Sequence, residues 1–393
     1  MKLKAGALLY AVFASVVMLV ISLLILLLLD FFNQTSSKFK NEIHLRDNLY
    51  SAIQLSMTLE NGTYLLDLYG AKKDSVLLVK KPWGVFNCVV VQGFRNKRRL
   101  KKTAFLGDQI NVSKVLEMSN NNKALYLCGK SKIIGNVNLP DQGAKRAYIE
   151  GKSFVGNPLI NGNIGISNYK WDYSLGEFNE NDVQFEDYLL DSLVRSFSQK
   201  TIYFYEKDRL FLASNFCKGN VIIESATSIY VSSQCSLEDV ILKAPFIVLE
   251  SGFKGQLQLI ASDSILIQEN VHLLYPSSII CRGKKPIVKL LDSSIVEGVV
   301  MIKSGLNNGN SSNLLINKNA IVRGQVYCHG NVDFQGTVYG QMFVDRFVLQ
   351  TNSAFYENHL LDITLDNSSF SSNYLGVNFD DVNAKKGIVK WLE

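Results

Sequence analysis

Between Ile321 and Gly340 the chain reads IVRGQVYCHGNVDFQGTVYG, with three Gly-x-Val triplets spaced six residues apart: Gly324-Gln325-Val326, Gly330-Asn331-Val332 and Gly336-Thr337-Val338. One small and one β-branched residue per six is the pattern of a β-solenoid. Each flat face of such a coil takes a short strand and a turn, so an apolar side chain points inward once per face. The same Gly-Asn-Val/Ile triplet stands at Gly135-Asn136-Val137, Gly162-Asn163-Ile164 and Gly219-Asn220-Val221. The expected fold is therefore mainly β: a single-strand β-solenoid, or parallel β-helix, with an N-terminal transmembrane helix and a small helical insertion.

Composition agrees with many tight turns around a sizeable core. Of 393 residues, 47% are apolar and only 19% charged. Asn and Gly are frequent and tolerate left-handed backbone at corners. The six cysteines form no C-x-x-C pair and no zinc-finger spacing with His, so buried single thiols are expected and no metal or cofactor is. The formal charge of +6 owes much to one run that includes Arg95, Lys97, Arg98, Arg99, Lys101 and Lys102. This run reads as a solvated hairpin tip or as a contact for an anionic surface such as a membrane or polysaccharide. Nothing aromatic is interleaved with it, so nucleic acid is not an expected partner.

Taken in order, residues 1–4 form a short cytoplasmic N-terminus and residues 5–29 an uncharged apolar run. As a helix, at 1.5 Å per residue, such a run crosses a hydrocarbon core of about 30 Å. Lys2, Lys4 and the free amine favour a cytoplasmic start, with the body outside the cytoplasm. Residues 30–60 continue as a membrane-proximal stalk helix. Phe39, Ile43, Tyr50, Ile53 and Met57 mark one face of it, either packed on the body or offered to a partner's helix. Asn61-Gly62 ends it.

The start Lys4-Ala5-Gly6-Ala7-Leu8-Leu9-Tyr10 resembles that of type IV pilin-like proteins, above all minor pilins and the minor pseudopilins of type II secretion. The resemblance covers about 30 residues. It implies cleavage after Gly6, and Ala11 stands where most members carry Glu. A plain anchor is the alternative.

Residues 61–127 read as a small antiparallel β meander. Residues 128–354 read as the solenoid, with Gly-rich coils first and regularly spaced apolar pieces after Leu210. An insertion at about 168–210 interrupts it. There Asn181-Asp182 caps a helix with Phe185, Leu189, Leu190, Leu193 and Phe197 on one face. Residues 355–393 form a C-terminal cap over the last coil, whose bare edge would otherwise recruit other chains. Glycine-punctuated coils of this kind resemble the bactofilin-type, polymer-forming β-helices, which are scaffolds that assemble end to end.

The motifs of chemistry are sparse. Hexapeptide acyltransferases place a His base on a left-handed β-helix. Here strict period holds only from Gly324 to Gly336, and His329 within it reads as a turn or core residue. Polysaccharide lyases and hydrolases on β-helices need clustered carboxylates. Asp239, Asp263, Asp292 and Asp333 are spread along the chain and read as turn residues. No P-loop, Rossmann fingerprint, G-x-S-x-G or H-E-x-x-H is present.

The expected function is a non-catalytic, membrane-anchored structural or interaction protein of the bacterial envelope, in the inner membrane with a periplasmic body. A pilus-like or secretion-like assembly is its most specific form. Expected partners are the membrane and proteins or further copies of the chain. The alternative is a membrane-tethered carbohydrate-binding or carbohydrate-active β-helix. A smooth coil surface favours the first. Three or more Asp, Glu, His or Arg side chains converging on one groove favour the second.

Overall fold

In the computed structural model, the residues described are 5–69, 74–95, 98–167, 183–186, 188–305, 313–371, 373–379 and 384–392. They are mainly β, with 56% of residues in strands, and they include a β-solenoid of about 10 turns. The chain divides into two compact units. The first comprises Met1–Leu59, Thr63–Val79 and Val91–Lys102; the second comprises Glu60–Gly62, Lys80–Val90 and Thr103–Glu393.

The first unit is dominated by one unbroken helix, Ala5–Ser56, of 52 residues. The expected anchor and stalk are thus a single rod, about 78 Å long at 1.5 Å per residue. Its apolar half is long enough to cross a membrane. Its C-terminal half turns Leu45, Asn48, Leu49, Ala52, Ile53 and Ser56 into the unit's core, the three-four spacing of one helical face. Gly93 lies against Leu45 and Leu49, where a Cβ would come within 2.8 Å of the Leu45 side chain.

The second unit is built on a three-sided parallel coil, with antiparallel strands beside it. The Gly-x-Val run is one circuit of it. Gly324 and Gly330 stand at two corners and Gly336 in the turn at the third, so Val326, Val332 and Val338 each point inward from a different face, all fully buried. At the first corner Gly298, Gly324 and Gly340 stack in register with φ of +143° to +148°. A Cβ on Gly324 or Gly340 would sit 1.9 Å from the carbonyl oxygen of the glycine below. Only glycine meets both conditions.

The inward ladder of one face gives the order of the coils. Phe204, Ile223, Leu242, Leu259, Ile279, Val300, Val326 and Met342 follow one another in sequence. Met342 then pairs with Leu116, Leu116 with Val137, and Val137 with Ile164. The first coils in sequence therefore stack beyond the last. The solenoid is circularly permuted: in space it reads 183 to 366, then 114 to 166.

This order corrects three expectations. Coils begin at Lys114–Met118, inside the segment expected to be a separate meander. Residues 359–366 form no terminal cap. His359–Leu361 and Thr364–Asp366 pair with Tyr126–Cys128 and Lys132–Ile134 and complete the seam coil. Lys386–Leu392 closes no solenoid edge either: it pairs antiparallel with Thr103–Asp108. The last coil's edge is already covered by residues 114–118, so no cap is required there.

The insertion helix also differs. Residues 168–182 and 187, with the expected cap at Asn181-Asp182, lie outside the described residues. Val183–Glu186 and Ser192–Arg195 are strands, paired parallel with Thr201–Phe204 and Phe216–Gly219. Leu189 and Leu193 do pack against the core, but as successive sides of a coil; Phe197 is buried instead against the rings of Trp83 and Phe105, and Phe185 is 70% exposed. Pairing with the neighbouring coil outweighs a weak local helical preference.

The face led by Ile223 is buried on both sides. Ile222, Ile241, Gln258, Met301, Tyr327 and Phe343 point outward from it and are still covered. Gln258 is hydrogen-bonded to the layer above: its Nε2 donates to the Trp83 carbonyl (2.8 Å) and its Oε1 accepts from Val85 N (2.9 Å).

Candidate functional site

Where this covered face meets the next, one corner opens into a groove of about 360 Å³ at the seam of the permuted stack. His329, Gly330 and Asn331 line it from one coil, and Asp345, Arg346 and Glu357 from the next. Ser119 and Asn121 come from the first coil in sequence, and Ser304 and Asn313 from the coil below. A volume of this order lies at the lower end of the range for small-molecule sites, about 300–1,000 Å³.

Parallel stacking sets the positions. The strand Ile321–Phe334 runs through the corner, and Lys303 pairs with His329 one coil below. His329 Nδ1 lies 3.1 Å from the Ser304 carbonyl, leaving Nε2 toward Asp345 Oδ2 at 3.8 Å. Ser119 Oγ donates to Asp345 Oδ1 at 2.8 Å, across a sequence separation of 226 residues. Arg346 Nε donates to Asn331 Oδ1 (2.5 Å), and its Nη1 lies 3.8 Å from Glu357 Oε1. Glu357 Oε2 accepts from Lys123 Nζ at 2.5 Å. Asn331 N donates to Asn313 Oδ1 at 3.0 Å, which fixes the groove floor. Asn121 Nδ2 is buried with no hydrogen-bond partner among the described residues.

Burial pushes the Asp345 carboxyl above its usual range, against the opposing pull of His329, Ser119, the Gly330 amide and Arg346. The carboxylate stands between hydroxyl and imidazole. In a Ser-His-Asp triad the imidazole stands in the middle, an order that this groove does not have. What the groove offers is a mixture of donors (Arg346, Asn121) and acceptors (Asp345, Glu357) on a rigid floor.

Of the residues singled out from sequence, His329 lies in this groove together with Gly330 and Asn331 of the second Gly-x-Val triplet. Asp239, Asp263, Asp292 and Asp333 do not converge on it. Asp239 has a φ of +61°, the left-handed backbone of a tight corner, and burial raises the Asp333 carboxyl beside Gln335. All six cysteines are free and buried. Gly6 lies in the first turn of the long helix and is exposed.

The basic run forms the two arms of a hairpin, with Lys97 outside the described residues. Arg98 Nη1 donates to the Lys38 carbonyl (3.1 Å) and approaches Glu42 (3.4 Å). Lys102 Nζ lies 3.9 Å from the Tyr50 ring centre, and Arg99 lies 5.5 Å from that of Phe94. Arg98 and Lys102 are thus turned onto the helix. Arg99 and Lys101 are exposed, and Arg95 is half-buried. On the expected helix face, Ile53 is buried and Met57 half-buried, whereas Phe39, Ile43 and Tyr50 remain 65%, 42% and 47% exposed.

Sequence reasoning missed Ser119, Asn121, Asp345, Arg346 and Glu357. Only coil order brings them together, and no local signal announced the permutation.

No family model and no curated protein matches this chain. Among solved structures, the competence-associated pilin ComZ from Thermus thermophilus aligns over 85% of this chain and 86% of its own at 9% identity. The TM-score is 0.17, too low for a shared fold, so the functional reading rests on the site itself.

Proposed function

We propose that this chain is a membrane-anchored β-solenoid of the bacterial cell envelope, with a periplasmic body, that binds an uncharged polysaccharide without cleaving it. The convergence of His329, Asp345, Arg346 and Glu357 on one groove carries the reading. Two carboxylates disfavour an anionic ligand, and Arg346 with Lys123 disfavours a cationic one. Alternating donors and acceptors match neutral hydroxyl groups, which both give and accept hydrogen bonds. The order hydroxyl, carboxylate, imidazole supports binding over acyl-transfer chemistry.

The full chain in detergent, applied to an array of neutral hexose and N-acetylhexosamine oligomers, is expected to bind at least one series. Arg346→Ala weakens that binding about tenfold or more, the scale of a charge-assisted hydrogen bond. Absence of binding, or binding indifferent to this change, rejects the reading.

A second reading, a subunit of a pilus-like or secretion-like assembly, is favoured by the exposure of Phe39, Ile43 and Tyr50 on the long helix. Mass spectrometry of the mature N-terminus tests its pilin-like form: an intact start before Gly6 excludes cleavage there.

A further inference from the structure

We propose that Lys390 and Asp239 condense to an intramolecular amide, made by the folded chain with Glu238 as proton carrier. Lys390 lies on the last strand, Lys386–Leu392, and Asp239 at a corner between two faces of one coil, where the register shifts. Lys390 Nζ lies 3.0 Å and 2.8 Å from the two Asp239 carboxyl oxygens, 2.9 Å from Glu238 Oε1 and 2.8 Å from Gln256 Oε1. Gln256 Nε2 donates to Asp239 Oδ1 at 2.6 Å, where it polarises the carboxyl group and meets charge that develops on that oxygen. The Asp239 side chain is only 3% exposed, and Trp83 Nε1 donates to its backbone carbonyl at 3.2 Å.

The two carboxyls are driven apart. Burial raises Asp239 toward its neutral, electrophilic form, against the pull of Lys390. Burial acts on Glu238 too, but hydrogen bonds from Lys390 and Lys218 hold it below its usual range, so it stays ionised as a base. An acid and a base in contact, tuned in opposite directions, are the arrangement proton-transfer catalysis requires.

The atoms balance without a co-reactant. The Nζ lone pair attacks Asp239 Cγ, the Nζ–Cγ bond forms, and one Cγ–O bond breaks. Before the attack, one ammonium proton passes through Glu238 to the Asp239 carboxylate, which leaves a neutral amine facing a neutral carboxyl; after it, a second proton passes from nitrogen through Glu238 to the departing hydroxyl, which leaves as water, and the third stays on the amide nitrogen. A cavity of about 100 Å³ adjoins the pair and is lined by Thr103 among others. The Thr103 hydroxyl is buried with no hydrogen-bond partner among the described residues, a ready acceptor or donor for the released water. Fixed neighbours within hydrogen-bonding reach supply the effective concentration that an ordinary amine and acid lack.

Digestion of the full, detergent-purified chain and mass spectrometry test this. The expected product is a branched species joining the Lys390 and Asp239 peptides, lighter by one water than their sum. Lys390→Ala and Asp239→Ala lose it. Glu238→Gln loses it while circular dichroism remains that of the wild type. Wild-type peptides that separate freely overturn the proposal, and so does a branched species at full yield in Glu238→Gln.

Discussion

The coils from Val221 to Gln350 and those from Lys114 to Ile166 belong to one stack but are held in different ways. In the first set, strands such as Lys254–Ile267, Ile321–Phe334 and Thr337–Gln350 run for 14 residues around a corner without a break. Each coil is the covalent continuation of the one before, so its register follows from chain length. In the second set the strands are three to five residues long at Lys114–Met118, Lys132–Ile134 and Asn136–Leu139. No peptide joins this set to its neighbour at Met342. Side chains set its register: Ser119 on Asp345, Lys123 on Glu357, and the Tyr126 ring stacked 4.5 Å from that of His359. Asp362 Oδ1 accepts from Lys130 N (2.8 Å) and its Oδ2 pairs with Lys152 (2.6 Å). Where the chain does not supply alignment, polar pairs do, and the same concentration of polar groups makes the groove.

Four experiments break or sharpen this contrast. Gly340→Val forces a side chain into a carbonyl at a φ of +143° and costs about 3 kcal/mol or more. Loss of the cooperative thermal transition in detergent is the expected result. Met342→Ala empties a fully buried position on the seam, at a cost of about 2–5 kcal/mol. Limited proteolysis should then release residues 114–166 before the consecutive coils open; simultaneous digestion of both sets would erase the distinction.

The pH dependence separates two seam carboxyls. The Lys130 amide and the Lys152 ammonium hold Asp362 below its usual range. Its contribution is therefore complete above the unfolded value, about 3.9, and is lost as pH falls through the lower folded value. Burial raises Asp345, so its protonated form stabilises the fold below the unfolded value, and stability is lost as pH rises through the folded one. Urea midpoints across acid pH should lose the first trend in Asp362→Asn and the second in Asp345→Asn. Lys123→Ala is expected to be the mildest. Its ammonium is mostly exposed, and such pairs contribute about 0–1 kcal/mol.

The solenoid was legible because a coil writes its geometry locally. Gly324, Gly330 and Gly336 mark corners, and the valines two places on mark faces. The long helix was legible for the same reason. The stacking order was not, since Leu116 and Met342 are ordinary buried residues in ordinary strands, and nothing nearby tells either which coil it will meet. The groove shared that invisibility: His329 drew notice alone, while Asp345 and Ser119 acquire meaning only as neighbours. The helix expected around Leu189 and Leu193 failed because turns of a coil can bury the same residues that a helical face would.

The permuted order also sets a timetable. When Ser119 leaves the ribosome, its partner Asp345 lies 226 residues away. At 5–20 residues per second, that is a wait of roughly 10–45 s. Throughout it, the first coils present a bare parallel edge with nothing of their own to pair with. The seam therefore closes last.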